Sequence, residues 1–354
     1  MGKRNFTPRK AFTLVELLIS MSVLTVVMLL LLSITDSTQR IWKQTAQRID
    51  AFRSARTAFE SMTRRISQAT LNTYWDYDST TAPTRYVRRS ELRFISGNIP
   101  QVATALSPIP NPSHSVFFQA PLGLVSDITD YGGMENLLNT FGYYIAVTSD
   151  AATRPPFLAT PAHTRFRLME LSEPSEALTL YTYSNGNPGY KTTEWFATPL
   201  TSSSNSHIIA DNVIALVLLP KLSPADETAI THSAATGTYL ALYYNYDSSP
   251  LTWPPASTQL SANQLPPLVQ VTMVAIDESS ASRLETISNG NAATMVSKLG
   301  LGGLFQTAGN LTDNTQAGYA QDLKTLTDTL QSLHLNYRIF SSEISIRGAK
   351  WSSK

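Results

Sequence analysis

A single carboxylate stands at the edge of the longest apolar run in the chain. Glu16 precedes 18 residues, 17–34, that contain no charge, glycine or proline. As a helix this run spans about 27 Å, close to the ~30 Å hydrocarbon core of a bilayer. A lone carboxylate at this depth is unfavourable, and it is compensated either by a cation that pairs with it or by interfacial water that it reaches. The position of Glu16 therefore calls for one of these two explanations. Residues 1–11 contain four cations and no acid: Lys3, Arg4, Arg9 and Lys10.

The residue types that catalyse reactions show no matching pattern. The sequence lacks a Walker loop, a G-x-G-x-x-G fingerprint and a G-x-S-x-G serine elbow. It also lacks cysteine, which excludes disulfides, thiolate catalysis and thiolate metal sites. We therefore predict that the protein is not an enzyme. Five histidines are scattered without metal-ligand spacing, and each is interpreted as a surface or core residue: His114, His163, His207, His232 and His334.

One stretch could hold a metal ion. "DITDYGGME" (127–135) places Asp127, Asp130 and Glu135 beside two glycines, and oxygen ligands on a glycine-containing loop can bind Ca²⁺. The spacing does not match an EF-hand, so a solvated turn is the preferred interpretation. We predict no cofactor, with these three residues as weak candidates for Ca²⁺. "WDYD" (75–78) is a similar weak candidate.

A long helix must position Glu16. No glycine or proline occurs from Phe12 to Asn72, which allows a helix of about 60 residues. Its second half carries apolar residues at spacings of three, four and seven, so we expect this half to pack on a sheet: Ile49, Phe52, Phe59, Met62, Ile66 and Ala69. Arginines fill the other positions and are interpreted as a solvated face. A nucleic-acid face is disfavoured because exposed aromatics are not interleaved with them: Arg48, Arg53, Arg56, Arg64 and Arg65.

The chain after the helix is typical of a β-rich domain. A Pro-rich connector occupies 97–114, and the apolar run 213–219 is expected to be a central strand. A helix is expected at 322–334, followed by a closing strand or hairpin. Further strands are predicted at 91–97, 115–125, 141–147, 164–171, 176–184, 238–246 and 268–276.

"KAFTLVE" (10–16) resembles the processing motif of type IV pilins and type II secretion pseudopilins. The resemblance implies that prepilin peptidase cuts between Ala11 and Phe12 and that Phe12 is N-methylated. The family usually has glycine where this chain has the small Ala11. Glu16 becomes the fifth residue of the mature chain, one helical turn from the new amine. Filament models of the family pair this carboxylate with the N-terminal amine of a neighbouring subunit. The alternative is a Glu16 that reaches interfacial water.

Two later blocks sharpen this resemblance, and a third block resembles a second pilin-like family. "ADNVIALVLLPK" (210–221) and "LPPLVQVTMVAIDE" (265–278) are similar to paired strands of J-type minor pseudopilins. "ARTAFESMTRRISQATLNTYWDYD" (55–78) resembles the pilin-like family called Verru_Chthon cassette protein C.

The resemblance implies an α+β, pilin-like fold in which a long N-terminal α-helix packs on a mainly antiparallel β-sheet domain. Its boundaries are a leader at 1–11, a membrane or filament-core half-helix at 12–34, an amphipathic half-helix at 35–72 and a globular domain at 73–354. The implied partners are prepilin peptidase, other pilin-like subunits, an inner-membrane assembly platform and membrane lipid, with no nucleic acid. The implied location is the inner membrane, crossed once, with a cytoplasmic N-terminus and a periplasmic domain that becomes extracellular in a filament.

A globular domain of this size suits a minor subunit, because repeated packing in a major pilin favours a small globular domain. Such a minor subunit could lie at the filament tip. A secretion pseudopilin and a surface pilus subunit remain equally open. The alternatives from other classes are a signal-anchored periplasmic enzyme and a binding or adhesin module. Tyrosines that could line an adhesin site, or equally form core, are Tyr239, Tyr243, Tyr244 and Tyr246.

Overall fold

The computed structural model describes residues 13–78, 81–105, 113–133, 136–151, 154–155, 157, 162–184, 187–223, 244–249, 262–306 and 317–351. The basic leader residues, the Ala11–Phe12 junction, Glu135 and most of the strand expected at 238–246 lie outside these residues. Contacts within the chain define two compact units, Met1–Ile49 and Asp50–Lys354, and each is described by itself.

The described residues form an α+β fold with mainly antiparallel sheets, as expected. The helices are α1 Leu14–Ile66, α2 Pro100–Ala105, α3 Ile128–Tyr131, α4 Glu194–Leu200, α5 Glu278–Ile287, α6 Ala292–Lys298 and α7 Ala317–Ser332. The strands are β1 Tyr74–Tyr77, β2 Tyr86–Arg89, β3 Ile95–Gly97, β4 Ser115–Pro121, β5 Leu138–Ser149, β6 Thr164–Glu173, β7 Tyr183–Ser184, β8 Asn187–Pro188, β9 Ser206–Asp211, β10 Val213–Lys221, β11 Tyr246–Asp247, β12 Leu268–Ile276 and β13 Tyr337–Ser345.

The first unit is helical, and its apolar side chains are open to the surroundings. Leu14–Lys43 has a mean hydropathy of 2.7 in its most apolar window, and none of that window is buried. Among the described residues it is the one helix long and apolar enough to cross a bilayer, by length and composition. An isolated apolar helix in water would be unstable, so this segment requires lipid or other helices around it.

The part of α1 in the second unit packs through the predicted apolar face. Phe59, Met62 and Ile66 are buried, and the Phe59 ring lies 6.0 Å from that of Phe340 on β13. The helix ends at Ile66, before Asn72, although no glycine or proline stops it. The backbone finds sheet partners instead: Thr70 N donates to Gln119 O of β4 at 2.9 Å. Tertiary hydrogen bonds thus override the helical propensity of residues 67–72.

A six-stranded antiparallel sheet forms the centre of the second unit, in the order β11-β3-β4-β5-β6-β9. Alternate residues of β5 feed two cores on opposite faces of the sheet: Tyr143 and Ile145 join one, whereas Tyr144 joins the other. Gly142 precedes Tyr143 on β5 and is paired with Phe117 of β4, and a Cβ at this position would collide with the Phe117 ring. Glycine is therefore required at residue 142 so that the aromatic core can close over β5.

The apolar run 213–219 forms β10, but it is an edge strand rather than the expected central one. The three-stranded antiparallel sheet has the order β10-β12-β13. The side chains of the run are buried in the main core, and its outer edge is covered by residues 113–114. His114 N donates to Leu216 O at 3.0 Å, and Leu216 N donates to the Ser113 hydroxyl at 2.6 Å. An edge strand whose free edge is hydrogen-bonded by other residues can have the same continuous apolar sequence as a central strand.

His114 completes this seal with its imidazole. Leu218 N donates to Nδ1 at 3.1 Å, so Nε2 carries the proton and donates to Phe305 O at 2.9 Å. Burial lowers the pKa of His114 from 6.5 to about 4. The neutral ring is therefore the form that the fold holds.

Acidification should weaken the fold through His114. The unfolded chain takes up a proton at this residue near pH 6.5 and the folded chain only near 4. Stability should thus fall as the pH drops between these values, by at most about 3 kcal/mol. Urea unfolding at pH 7.0 and 4.5 measures the loss. His114→Gln can keep both hydrogen bonds without titrating, so its loss should be smaller, and an equal loss in both proteins would contradict this role.

The segment expected as a strand at 176–184 is mostly turns. Ser175–Ala177 and Thr179–Tyr181 are short 3₁₀ helices, and only Tyr183–Ser184 is extended. Pro174 begins the first turn, and Thr179 N donates to the Glu173 carboxylate at 3.0 Å. Alternating apolar residues here reflect a turn that buries Leu180, not a pleated strand.

Candidate assembly site on the N-terminal helix

Glu16 is held by a capping box at the start of α1. Thr13 N and the Thr13 hydroxyl both donate to Oε2 of Glu16, at 2.9 and 3.0 Å, and Glu16 N lies 3.3 Å from the same hydroxyl. This reciprocal pairing of Thr and Glu three residues apart satisfies two free backbone donors of the first turn. The T-x-x-E spacing of Thr13 and Glu16 is the sequence signal for this box.

Three hydroxyls of the apolar segment donate to backbone carbonyls within the helix. Ser20 donates to Glu16 O at 2.6 Å, Ser22 to Ile19 O at 2.8 Å and Thr25 to Met21 O at 2.8 Å. Internal hydrogen bonds of this kind let Ser and Thr sit in lipid. Glu16 is therefore the one ionisable group between Thr13 and Thr35 that must find compensation.

Glu16 shares a helix face with a stripe suited to helix packing. Ile19, Ser20, Val23 and Val27 follow it at spacings of three and four and line one shallow concavity with it. The small Ser20 lowers this surface directly beside the carboxylate, and small residues let helices approach closely in membranes. A second helix on this face would lie against both the apolar stripe and Glu16.

The other end of the apolar segment has the chemistry of a membrane interface. Asp36 and Arg40 form an (i, i+4) ion pair at 2.7 Å, and Trp42 is 77% exposed. Charged pairs and tryptophan are typical of the boundary between lipid and water. The polar groups at Glu16 and Asp36 thus bracket a span of suitable length for a single-pass anchor.

One of the arginines expected on a solvated face has a different role. Arg65 forms an ion pair with Glu170 of β6, and its guanidinium lies 5.1 Å from the centre of the Phe141 ring. Tyr143 donates to the same Glu170 at 2.9 Å. Arg53, Arg56 and Arg64 are exposed, as expected. Arg65 instead fixes the end of α1 against the six-stranded sheet within the second unit.

The calcium candidates are only partly described. Oδ1 of Asp127 accepts hydrogen bonds from Thr129 N at 2.9 Å and Asp130 N at 3.2 Å, which makes Asp127 the N-cap of α3. Asp130 is exposed, and Glu135 lies outside the described residues. Among the residues that the structure describes, no group of three potential metal ligands occurs.

One buried carboxyl has the perturbed acidity that catalytic groups often show. Burial raises the pKa of Glu173 to about 7. Its position explains this without catalysis, because it lies in the core and caps the turn at Thr179. His163 lies 3.0 Å from Glu285, which also pairs with Arg165 to join the start of β6 to α5. These titratable groups hold structural elements together.

The N-terminal geometry agrees with the comparison with known families. The family model described as the prokaryotic N-terminal methylation motif matches residues 7–32. No curated protein and no solved structure is significantly similar to the chain. The chain carries, on a long apolar helix that leads into an α+β fold, the N-terminal signature of type IV pilins and pseudopilins.

Proposed function

We propose that the protein is a minor pilin-like subunit, cut by prepilin peptidase between Ala11 and Phe12 and assembled by helix-to-helix packing with other pilin-like subunits. The observation that carries the proposal is the position of Glu16. It occupies the first turn of an apolar helix, within the methylation motif and above a packing stripe. A structural subunit needs no catalytic set, which agrees with the absence of catalytic motifs in the sequence.

The capping box leaves one oxygen of Glu16 for a partner. Both Thr13 donors reach Oε2, and among the described residues no donor reaches Oε1. A carboxylate accepts about four hydrogen bonds, so capping and intersubunit pairing are compatible. The cut before Phe12 supplies the required cation, an amine at the start of the mature chain. A charge pair shared between two helices offsets the cost that either charge alone would have in lipid.

The polarity of α1 favours the same arrangement. The positive end of a helix macrodipole lies at its N-terminus, where a carboxylate is stabilised by roughly 0.3–1 kcal/mol at exposed sites. Thr13 orients the Glu16 carboxylate at that end before any partner arrives. Pairing with the neighbouring amine would then set the axial register between subunits, because the pair can form at only one offset of the two helices.

We assign the subunit to the inner membrane in its unassembled state. The four cations of residues 1–11 favour a cytoplasmic N-terminus under the positive-inside rule, and in this orientation the globular unit would face the periplasm. Its large size supports a minor, tip-proximal position over a major pilin. A filament of either the pilus or the secretion type would fit, with an inner-membrane assembly platform as a further partner.

Processing should depend on a small residue before the cut. Ala11→Trp should block cleavage, because a peptidase that usually accepts glycine at this position has little room for an indole. Ala11→Gly is the matched control and should be cut at least as completely as the natural sequence. Co-expression with a prepilin peptidase, followed by the loss in mass of the leader, gives the readout. Equal cleavage of the tryptophan variant would contradict the assigned junction.

A further inference from the structure

Four exposed aromatic side chains of the second unit, Tyr74, Trp75, Tyr77 and Tyr86, lie together on a two-stranded arm formed by β1 and β2. All four residues of β1 are exposed, and Trp75 and Tyr86 are 66% and 62% accessible. Large exposed aromatic patches on soluble domains usually mark a binding site. The assembly role on α1 makes no use of this arm.

The two faces of the arm differ in chemistry. The strand register pairs Trp75 with Arg88 and Tyr77 with Tyr86, and these four side chains share one face, the aromatic face. The opposite face carries Tyr74, Asp76, Val87 and Arg89. There the charges neutralise each other, since Arg89 lies 3.4 Å from Asp76. The aromatic face has no such balance, because among the described residues Arg88 has no carboxylate partner.

The aromatic face is ordered before any ligand binds. The Tyr77 and Tyr86 rings stack with centres 4.9 Å apart, and their hydroxyls lie 3.2 Å from each other. The Arg88 guanidinium lies 5.6 Å from the centre of the Trp75 ring. Rings held in this way lose little conformational entropy on binding.

The arm is also fixed to the rest of the unit at its base. Asn263 donates its side-chain amide to Arg88 O at 2.7 Å. Asn72 accepts from Ser90 Oγ and Glu91 N, both at 3.0 Å, where the second strand returns to the domain. An isolated hairpin is only marginally stable in water. These hydrogen bonds therefore stabilise the arm and fix the orientation of its aromatic face relative to the rest of the unit.

We infer that the aromatic face binds an acidic polysaccharide, through stacking of pyranose rings on Trp75 and Tyr86 and pairing of a sugar carboxylate with Arg88. Aromatic rings offer flat apolar surfaces to the C–H faces of sugars, and a guanidinium matches a carboxylate with two parallel hydrogen bonds. Arg88 follows Tyr86 by two residues on the same face, about 7 Å along the strand. One uronate ring against Tyr86 can therefore reach Arg88.

Single-stranded nucleic acid fits this face less well. Nucleic-acid sites combine aromatic stacking with several cations that follow the phosphates. The arm and its flanks carry Arg85, Arg88 and Arg89, but Asp78 and Asp76 pair with the first and third of these. Arg88, which has no carboxylate partner among the described residues, suits one carboxylate better than a row of phosphates.

The test is calorimetric titration of the full chain, in a detergent without a sugar headgroup, with an oligogalacturonate, a maltooligosaccharide of equal length and oligo-dT. The wild type should bind the oligogalacturonate most tightly. Arg88→Gln should weaken that binding about tenfold and leave the neutral sugar unchanged. Trp75→Ala with Tyr86→Ala should remove binding of both sugars. Tyr74→Ala, on the opposite face, is the control and should change affinity by less than about twofold.

Failure of the wild type to bind the oligogalacturonate would overturn the inference, as would tighter binding of oligo-dT. Equal affinity of the wild type and Arg88→Gln would overturn it too. If the double alanine variant unfolds at a lower temperature than the wild type, Arg88→Gln decides alone, because it leaves the stacked tyrosines in place. Assembly does not enter the measurement, so the result is independent of the role of Glu16.

Discussion

Glu16→Leu is expected to abolish recruitment into a filament while cleavage at Ala11–Phe12 continues. An ionised side chain near the bilayer centre costs about 2.5–3.5 kcal/mol on insertion scales, and less near the interface. Leucine removes that cost, so membrane insertion should be unchanged or easier. What disappears is the carboxylate that pairs with the amine of the next subunit. Crosslinking to sister pilin-like subunits, compared with the wild type, measures the loss.

Glu16→Gln separates charge from capping. Glutamine can complete the box with Thr13 as glutamate does, but it brings no charge for an amine. Its recruitment should fail nearly as completely as that of the leucine variant, whereas Thr13→Val should be recruited better than either because the carboxylate remains. Normal recruitment of both Glu16 variants, alongside normal processing, would leave Glu16 as an incidental interfacial charge.

Arg93→Ala is expected to destabilise the globular unit strongly. Arg93 Nε donates to Asp247 Oδ1 at 2.8 Å, and Nη1 donates to Thr192 O at 2.7 Å. Both side chains of the ion pair are at most 10% exposed. Removing the guanidinium takes the cation away from a buried carboxylate. Ser249 N still donates to Asp247 Oδ1 at 2.8 Å, but breaking a buried ion pair on one side costs roughly 3–5 kcal/mol. Chemical unfolding of the full chain in detergent gives the difference.

Two comparisons make the Arg93 result specific. Arg56→Ala breaks an ion pair with Glu60 in which both side chains are mostly exposed, so it should cost no more than about 0.5 kcal/mol. Arg93→Met combined with Asp247→Leu removes both charges and should recover most of the lost stability. If Arg93→Ala were as stable as Arg56→Ala, water would have to reach Asp247 in the folded protein.

The sequence predicted those elements whose apolar spacing is set by one environment, either lipid or a packed sheet. The apolar half of α1 and the buried Phe59–Met62–Ile66 face were readable because lipid and a sheet each select residues at helical spacing. The edges of elements were not readable, because tertiary partners decide them. Helix α1 ends at Ile66 because the backbone beyond it hydrogen-bonds to Gln119 O of the sheet. Strand β10 was expected to be central because its free edge is hydrogen-bonded by Ser113 and His114, which allows a continuous apolar sequence.

Of the candidate site, the sequence predicted Glu16 but not the residues that contact it or the role of Arg65. Glu16 stood out because a lone charge beside an apolar run is rare, whereas its partner Thr13 is an ordinary residue that matters only through its spacing. The role of Arg65 was missed because an arginine at a polar helix position gives no sign of a carboxylate on a strand about a hundred residues later. The aromatic face of the β1–β2 arm was similarly hidden, since only strand register shows which of the clustered aromatics point the same way.

The mature protein is expected to begin at Phe12. The most direct measurement is mass spectrometry of the N-terminal peptide of the protein from native membranes. The proposed function predicts a peptide that starts at Phe12 with a methylated amine, and no peptide from residues 1–11. An intact N-terminus at Met1 or Gly2 in the assembled protein would contradict it, because Glu16 would then have no neighbouring amine to pair with.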